Sequence, residues 1–191
     1  MRRRIVRVVV VLAVIGGTGL VVKFGRYHFI PKRFEVVEAG KIYRGGEQEA
    51  GPYRRILREH GIRTVVTLLD EEAEDPLERV ERDMVAELGL KRLRFPMPGD
   101  GRGEFDALEG AAEAIADPQN QPVFLHCSAG VYRTGATIAV YRMEYCGWDV
   151  KRALAELAAH GVSEARKPEL FEHLRAYYRE RIAGATKAAN E

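Results

Sequence analysis

The sequence predicts an α/β domain with a central, mostly parallel sheet flanked by helices, preceded by one N-terminal hydrophobic helix. Two patterns carry the domain: short β-branched or apolar runs such as Thr64–Leu69 and Val123–Leu125, and segments between them whose apolar residues recur at helical spacing. The N-terminal helix rests on a third observation, an uncharged run from Val8 to Val22 that stands apart from everything after it.

In chain order, the folded part begins near Phe34. Ile42-Tyr43-Arg44-Gly45-Gly46-Glu47-Gln48 reads as an opening strand ending in a glycine turn. Pro52 to His60 is a helix that Gly61 stops. Thr64–Leu69 is a buried strand, and the acidic run Asp70, Glu71, Glu72, Glu74 and Asp75 after it reads as a solvated loop and helix start rather than a metal site. Leu77, Val80, Met84 and Leu88 mark the next helix, closed by Gly89, and Arg92–Phe95 the next strand. Pro96 to Gly103, with three glycines and two prolines, is a loop. Phe105, Leu108, Ala112 and Ile115 give a helix, and Asp117–Pro122 turns into the central strand. A helix starts near Thr134, a further one carries Val150, Ala153, Leu154 and Leu157, and a last one runs from Leu170 to Ile182. The domain boundaries expected are 1–34, 35–183 and a frayed tail over 184–191.

Across 191 residues, 46% are hydrophobic and 30% charged, a globular balance. A net charge of +2 is too small to argue for nucleic acid. The two cysteines, Cys127 and Cys146, form no C-x-x-C pair and suggest neither a zinc site nor a disulfide framework. If a helix joins residue 134 to Cys146, that cysteine lies about 18 Å from the loop end, at ~1.5 Å per residue, and is a buried filler.

Val8–Val22 is short for a span of about 20 residues, but Arg7 and Lys23 can extend it by snorkelling. Gly17-Thr18-Gly19 is a poor cleavage site, which favours an uncleaved signal anchor over a removed signal peptide. Arg2, Arg3, Arg4 and Arg7 precede the run, and Lys23, Arg26, Lys32 and Arg33 follow it. The expectation is a membrane-anchored chain with its folded domain outside the cytoplasm, and a basic linker, Arg26 to Phe34, on anionic headgroups.

The chemistry concentrates in Val123-Phe124-Leu125-His126-Cys127-Ser128-Ala129-Gly130-Val131-Tyr132-Arg133-Thr134-Gly135. A strand, a tight loop and a helix N-terminus together bind anions through inward N–H groups and the helix dipole. A cysteine at the loop start is stabilised as thiolate there and becomes a nucleophile at neutral pH. Arg133 offers a planar fork for two phosphate oxygens, and Thr134 a hydroxyl for the thiolate.

This run resembles the H-C-x-x-x-x-x-R-[ST] signature of the cysteine-dependent protein tyrosine and dual-specificity phosphatases, departing from their commonest loop, C-S-A-G-V-G-R-T-G, at Tyr132. Ile42–Gln48 is similar to the Y-R-S-G-Q-P element of bacterial and atypical dual-specificity members. The resemblance implies a three-layer phosphatase fold and a phosphocysteine mechanism with no metal and no cofactor. Cys127 would be the nucleophile, with Arg133 and the amides of Ser128, Ala129, Gly130, Val131 and Tyr132 holding phosphate, and His126 setting loop geometry. In that family an aspartate on an upstream loop is the general acid. Asp100 is the best match, 27 residues before Cys127, with glycine neighbours that let its loop close. Glu104 and Asp106 are its rivals.

His28, His60, His160 and His173 read as structural or surface residues. By comparison with the resembled families, a domain of about 150 residues is nearer the dual-specificity size, which implies a shallower pocket for a phosphorylated protein, most of all phosphotyrosine but open to phosphoserine or phosphothreonine, or for a small phosphate monoester. The loop carries no lysine, which counts against a highly anionic substrate. Arg44, Arg94 and Arg102 keep phosphoinositide or inositol-polyphosphate cleavage as an alternative, beside a non-catalytic phosphate-binding module. The oligomeric state has no signal in the sequence.

Overall fold

The structure is a computed structural model that describes residues 26–184. The apolar run Val8–Val22, with the N-terminal helix expected there, and the tail from residue 185 lie outside the described residues. Among the described residues no helix is long and apolar enough to cross a membrane.

Five strands form one sheet: β1 (Glu35–Glu38), β2 (Ile42–Gly46), β3 (Thr64–Thr67), β4 (Lys91–Arg94) and β5 (Val123–Cys127). Their order is β1-β2-β5-β3-β4, parallel throughout except for β1, which runs antiparallel to β2. The sheet is therefore mixed. β1 is not among the strands expected from sequence: Glu-Val-Val-Glu is a short edge strand with a register shift after Val36, and Val36 remains exposed.

Among the described residues three α-helices alternate with the strands, α1 (Ala50–Glu59), α2 (Pro76–Glu87) and α3 (Phe105–Ala116), and three more follow β5, α4 (Tyr132–Tyr145), α5 (Val150–Ala159) and α6 (Pro168–Tyr177), the last continuing as a π-helical turn to Ala183. Strand side chains alternate between faces with period 2. Tyr43, Val65 and Phe124 pack under α1 and α2 with Tyr53, Ile56, Leu57, Met84 and Val85. Ile42, Val66 and Leu125 pack on the other face against Leu108, Ile115, Ile138, Leu157 and Leu174 of the remaining helices. The result is three layers. Each fully buried aliphatic side chain contributes about 1.5–3 kcal/mol, which makes this alternation the main determinant of register.

Local signals set the ends. Asp75 caps α2, accepting from the Leu77 and Glu78 amides at 2.7 and 3.0 Å, with Pro76 at the first helical position. α4 starts at Tyr132, two residues before the start expected from sequence. The parallel pairing puts Gly46 beside Cys127 and Thr67 beside His126, so β2, β3 and β5 end together at one edge of the sheet. That edge, where loops leave the carboxyl ends of parallel strands, is where an α/β sheet presents a site.

Candidate active site

Cys127 is the last residue of β5, buried, and the chain turns over Ser128–Val131 into α4. Its Sγ accepts the Gly130 N–H at 3.2 Å and the Thr134 hydroxyl at 3.1 Å. Burial pushes this thiol up. The Thr134 hydroxyl, the Thr134 and Val131 amides and the Arg133 charge outweigh that and hold it below the usual thiol value.

The loop is held in shape from behind. Glu47 N–H donates to the Cys127 carbonyl at 3.0 Å and more weakly to that of Ser128. Arg33 Nη1 donates to the Ala129 carbonyl at 2.9 Å, and the buried Arg44 donates Nη2 to that of Gly130 at 3.0 Å. With its carbonyls taken from outside, the loop turns its N–H groups inward. Gly130 has φ +71°, and a Cβ there would come within 2.5 Å of the Gly45–Gly46 backbone. Only glycine allows β2 and the loop to lie this close.

Lys32 and Arg33 lie in the segment expected to be a linker, yet both belong to this brace. The Gln48 amide clamps the Lys32 backbone with bonds of 2.8 and 3.0 Å, and Arg33 adopts φ +50°, a left-handed conformation rare outside glycine.

Beneath the loop is a buried ionic network. His126 Nε2 lies 2.5 Å from Glu81 Oε2, Arg92 bridges Glu81 and Glu78 at 2.7 Å each, and Arg94 meets Glu78 at 2.7 Å. Burial pushes Glu81 up, but His126 and Arg92 pull harder and set it at about 2. Burial likewise pushes His126 down, and Glu81 outweighs this so that its value is raised. Glu78 and Glu81 are site residues that sequence reasoning does not single out. Their signal is present: two carboxylates at i and i+3 on one helix, and arginines alternating on one face of β4. Arg44 and Arg94, expected to supply charge to a substrate, are committed to Gly130, Glu78 and the Leu69 carbonyl instead.

Arg133 sits in the first turn of α4, half-buried, with Nη1 3.4 Å from the Met97 carbonyl. With Ser128 it forms one side of a cleft of about 270 Å³. Glu47, Asp70, Glu72 and Asp75 also line it, so the acidic run, exposed over Asp70–Glu72 and ending in the Asp75 helix cap as expected, borders this cleft.

Asp100 lies in a turn closed by the Gly101 N–H on the Pro98 carbonyl at 3.0 Å. Its carboxylate faces Arg102: Oδ1 accepts the Arg102 amide at 3.0 Å, and Oδ2 accepts Nε and lies 2.8 Å from Nη2. The Arg102 amide, with its guanidinium and the Lys167 charge, holds the carboxyl below the usual range. Gly101, at φ +86°, abuts Tyr132 so closely that a Cβ would lie 2.9 Å from that residue's carbonyl carbon. The loop that these glycines are expected to let close rests here against Tyr132 at the start of α4. Of the rivals, Asp106 pairs with Arg181 at 2.7 Å, and Glu104 holds the N-cap position of α3.

The remaining titratable groups stay peripheral. His28 and His160 pair with Glu49 and Glu35, and His60 stacks on Phe34 and packs at a tilt against Tyr43. His173 donates Nε2–H to the Gly103 carbonyl at 2.9 Å. Cys146, at the far end of α4, lies within 4 Å of Arg142 and Glu38.

Residues 31–172 match the family described as DSP-PTPase phosphatase fused to NAD+ kinase. The dual specificity protein phosphatase TpbA of Pseudomonas aeruginosa is 26% identical over 109 residues, which cover 57% of this chain and 46% of that protein. The inositol diphosphatase DSP1 of Oryza sativa subsp. japonica is 26% identical over 152 residues, covering 74% of this chain and 65% of that protein. The chain thus spans about half to two thirds of the length of these curated relatives. Among solved structures, the core catalytic domain of the PP-IP phosphatase SIW14 from S. cerevisiae superposes with a TM-score of 0.65 at 20% identity, covering 84% of this chain and 94% of that one. The family match extends over most of the described residues and includes the whole Cys127–Arg133 loop, so the chain belongs to the DSP-PTPase family of cysteine-based phosphatases.

Proposed function

We propose that this protein hydrolyses phosphate monoesters, foremost protein phosphotyrosine, through a phosphocysteine intermediate. The observation that carries this reading is the Cys127 sulfur, buried at the base of a loop whose amides and Thr134 hydroxyl point at it. In the first step the Cys127 thiolate attacks phosphorus, the P–O ester bond breaks, and Asp100 gives its proton to the leaving oxygen. In the second, water attacks phosphorus and gives a proton to Asp100, the S–P bond breaks, and inorganic phosphate leaves with the thiolate restored. Arg133 and the loop amides hold the equatorial oxygens through both steps, the contribution that usually dominates phosphoryl transfer. Thr134 stabilises the departing thiolate, and His126, held by Glu81, fixes the geometry of the residue next to it.

A second reading, cleavage of phosphoinositides or inositol polyphosphates, draws on the relative named as an inositol diphosphatase. The acidic wall beside Arg133 and the commitment of Arg44 and Arg94 favour the phosphoprotein. As part of the same proposal, the Val8–Val22 segment anchors the chain in a membrane with the domain on the extracytoplasmic side; fractionation and protease accessibility of the full chain test this.

The catalytic test is hydrolysis of phenyl phosphate and a phosphotyrosine peptide by the full chain, with Cys127→Ser and Asp100→Asn alongside. The expected result is loss of turnover in Cys127→Ser and a fall of about a hundredfold in Asp100→Asn. Binding of phosphate without turnover by folded wild type would leave a phosphate-binding module.

A further inference from the structure

The loop carrying Asp100 is fixed at several points. Met97 is buried, with its amide 3.3 Å from the Leu68 carbonyl and its own carbonyl facing Arg133. Gly101 abuts Tyr132, and the Gly103 carbonyl is held by His173. The Asp100 carboxylate itself is engaged by the amide, Nε and Nη2 of Arg102. A carboxylate in such a fork is stabilised as the anion, whereas a general acid must arrive protonated.

The contact is local and open to exchange. The Arg102 side chain is 47% exposed and that of Asp100 35%. A second cation stands beside it: Lys167 Nζ lies 4.9 Å over the Tyr132 ring, and its charge also acts on Asp100. The cleft lined by Ser128 and Arg133 is otherwise acidic, with Glu47, Asp70 and Glu72. An anionic group next to the reacting phosphate is therefore repelled by those carboxylates and attracted toward Arg102 and Lys167.

We propose that Arg102 is a positioning residue that keeps Asp100 ionised and turned aside until a second anionic group of the substrate, a carboxylate or phosphate neighbouring the phosphotyrosine, takes the guanidinium. Freed of the guanidinium and now beside the anionic charge of the substrate, which favours its neutral form, Asp100 takes a proton from the solvent buffer and turns to the leaving oxygen. This rests on the reading of Asp100 as the general acid, and it names the preferred substrate class as acidic-flanked phosphopeptides.

Two measurements on the full chain test it. The first is NMR titration of the Asp100 carboxyl in wild type and Arg102→Ala. Titration at higher pH in the variant is expected; an unchanged midpoint overturns the proposal, whether or not the enzyme turns over. The second is kcat/KM across pH for phosphotyrosine peptides whose neighbouring residue is Gln, Glu or phosphoserine. Wild type is expected to prefer the Glu and phosphoserine peptides, and the comparison of those two shows which anion serves. Arg102→Ala should lose that preference, gain about threefold on the Gln peptide at neutral pH, within what an exposed ion pair can impose, and hold its rate to higher pH. Arg102→Lys, which keeps the charge without the fork, should fall between. An equal loss on all three peptides with the alkaline limb unmoved overturns the proposal. Wild type no more active than Cys127→Ser would instead defeat the catalytic reading, and this proposal with it.

Discussion

The floor and the rim of the phosphate loop handle charge in opposite ways. On the floor, Glu81, Glu78, His126, Arg92 and Arg94 come from three separate elements and are buried or nearly so. At the rim, Asp100 and Arg102 are two residues apart, the arginine exposed and the aspartate half-buried. A buried network is costly to assemble and costly to break, so it fixes geometry; an exposed pair is weak and can be exchanged for a ligand. The cysteine sits between the two, rigid below and adjustable above.

The largest effect expected from this contrast is on the floor. Glu81→Ala strands His126 and Arg92 without their carboxylate and should cost about 3–5 kcal/mol of stability, read as a lower denaturation midpoint. Asp100→Asn should change stability by less than ~0.5 kcal/mol while reducing turnover, and a comparable loss of stability in both would erase the distinction. Arg133→Lys, on the wall of the cleft, removes the planar fork and should reduce kcat/KM about a hundredfold or more, with little change in melting. A smaller effect separates floor from rim by pH. Glu81 titrates at about 2 in the folded state, below its ordinary value, so its contribution is present above the ordinary carboxylate range and fades as pH falls through about 2. His126 is raised, so its contribution is present below the ordinary histidine value and is lost as pH rises through the raised one. Melting temperature against pH should lose both limbs in Glu81→Gln. Arg102→Ala should leave both in place.

What could be read from sequence followed the range of the interactions. Cys127 to Thr134 carry their chemistry in one contiguous stretch, and a strand followed by a helix start is legible from that stretch alone. Asp100 was legible as a residue type on a glycine-rich loop, but not its grip by Arg102, which depends on the turn at Pro98–Gly101. The brace at Ala129 comes from Arg33, 96 residues away, and that at Gly130 from Arg44, 86 residues away. No local periodicity announces such pairs. β1 escaped because a four-residue edge strand with one exposed valine has no alternation to detect. Glu78 and Glu81 were hidden because a helix with apolar residues at the right spacing already looked complete, with its charged positions on the expected solvent face.

The most direct test of the central claim is mass spectrometry of Asp100→Asn, quenched during turnover of 4-nitrophenyl phosphate. That leaving group needs no proton, so replacing Asp100 slows hydrolysis of the intermediate more than its formation, and the account predicts one phosphoryl group on the peptide that contains Cys127. Steady release of phosphate with Cys127 unmodified, and undiminished in Cys127→Ser, would contradict it.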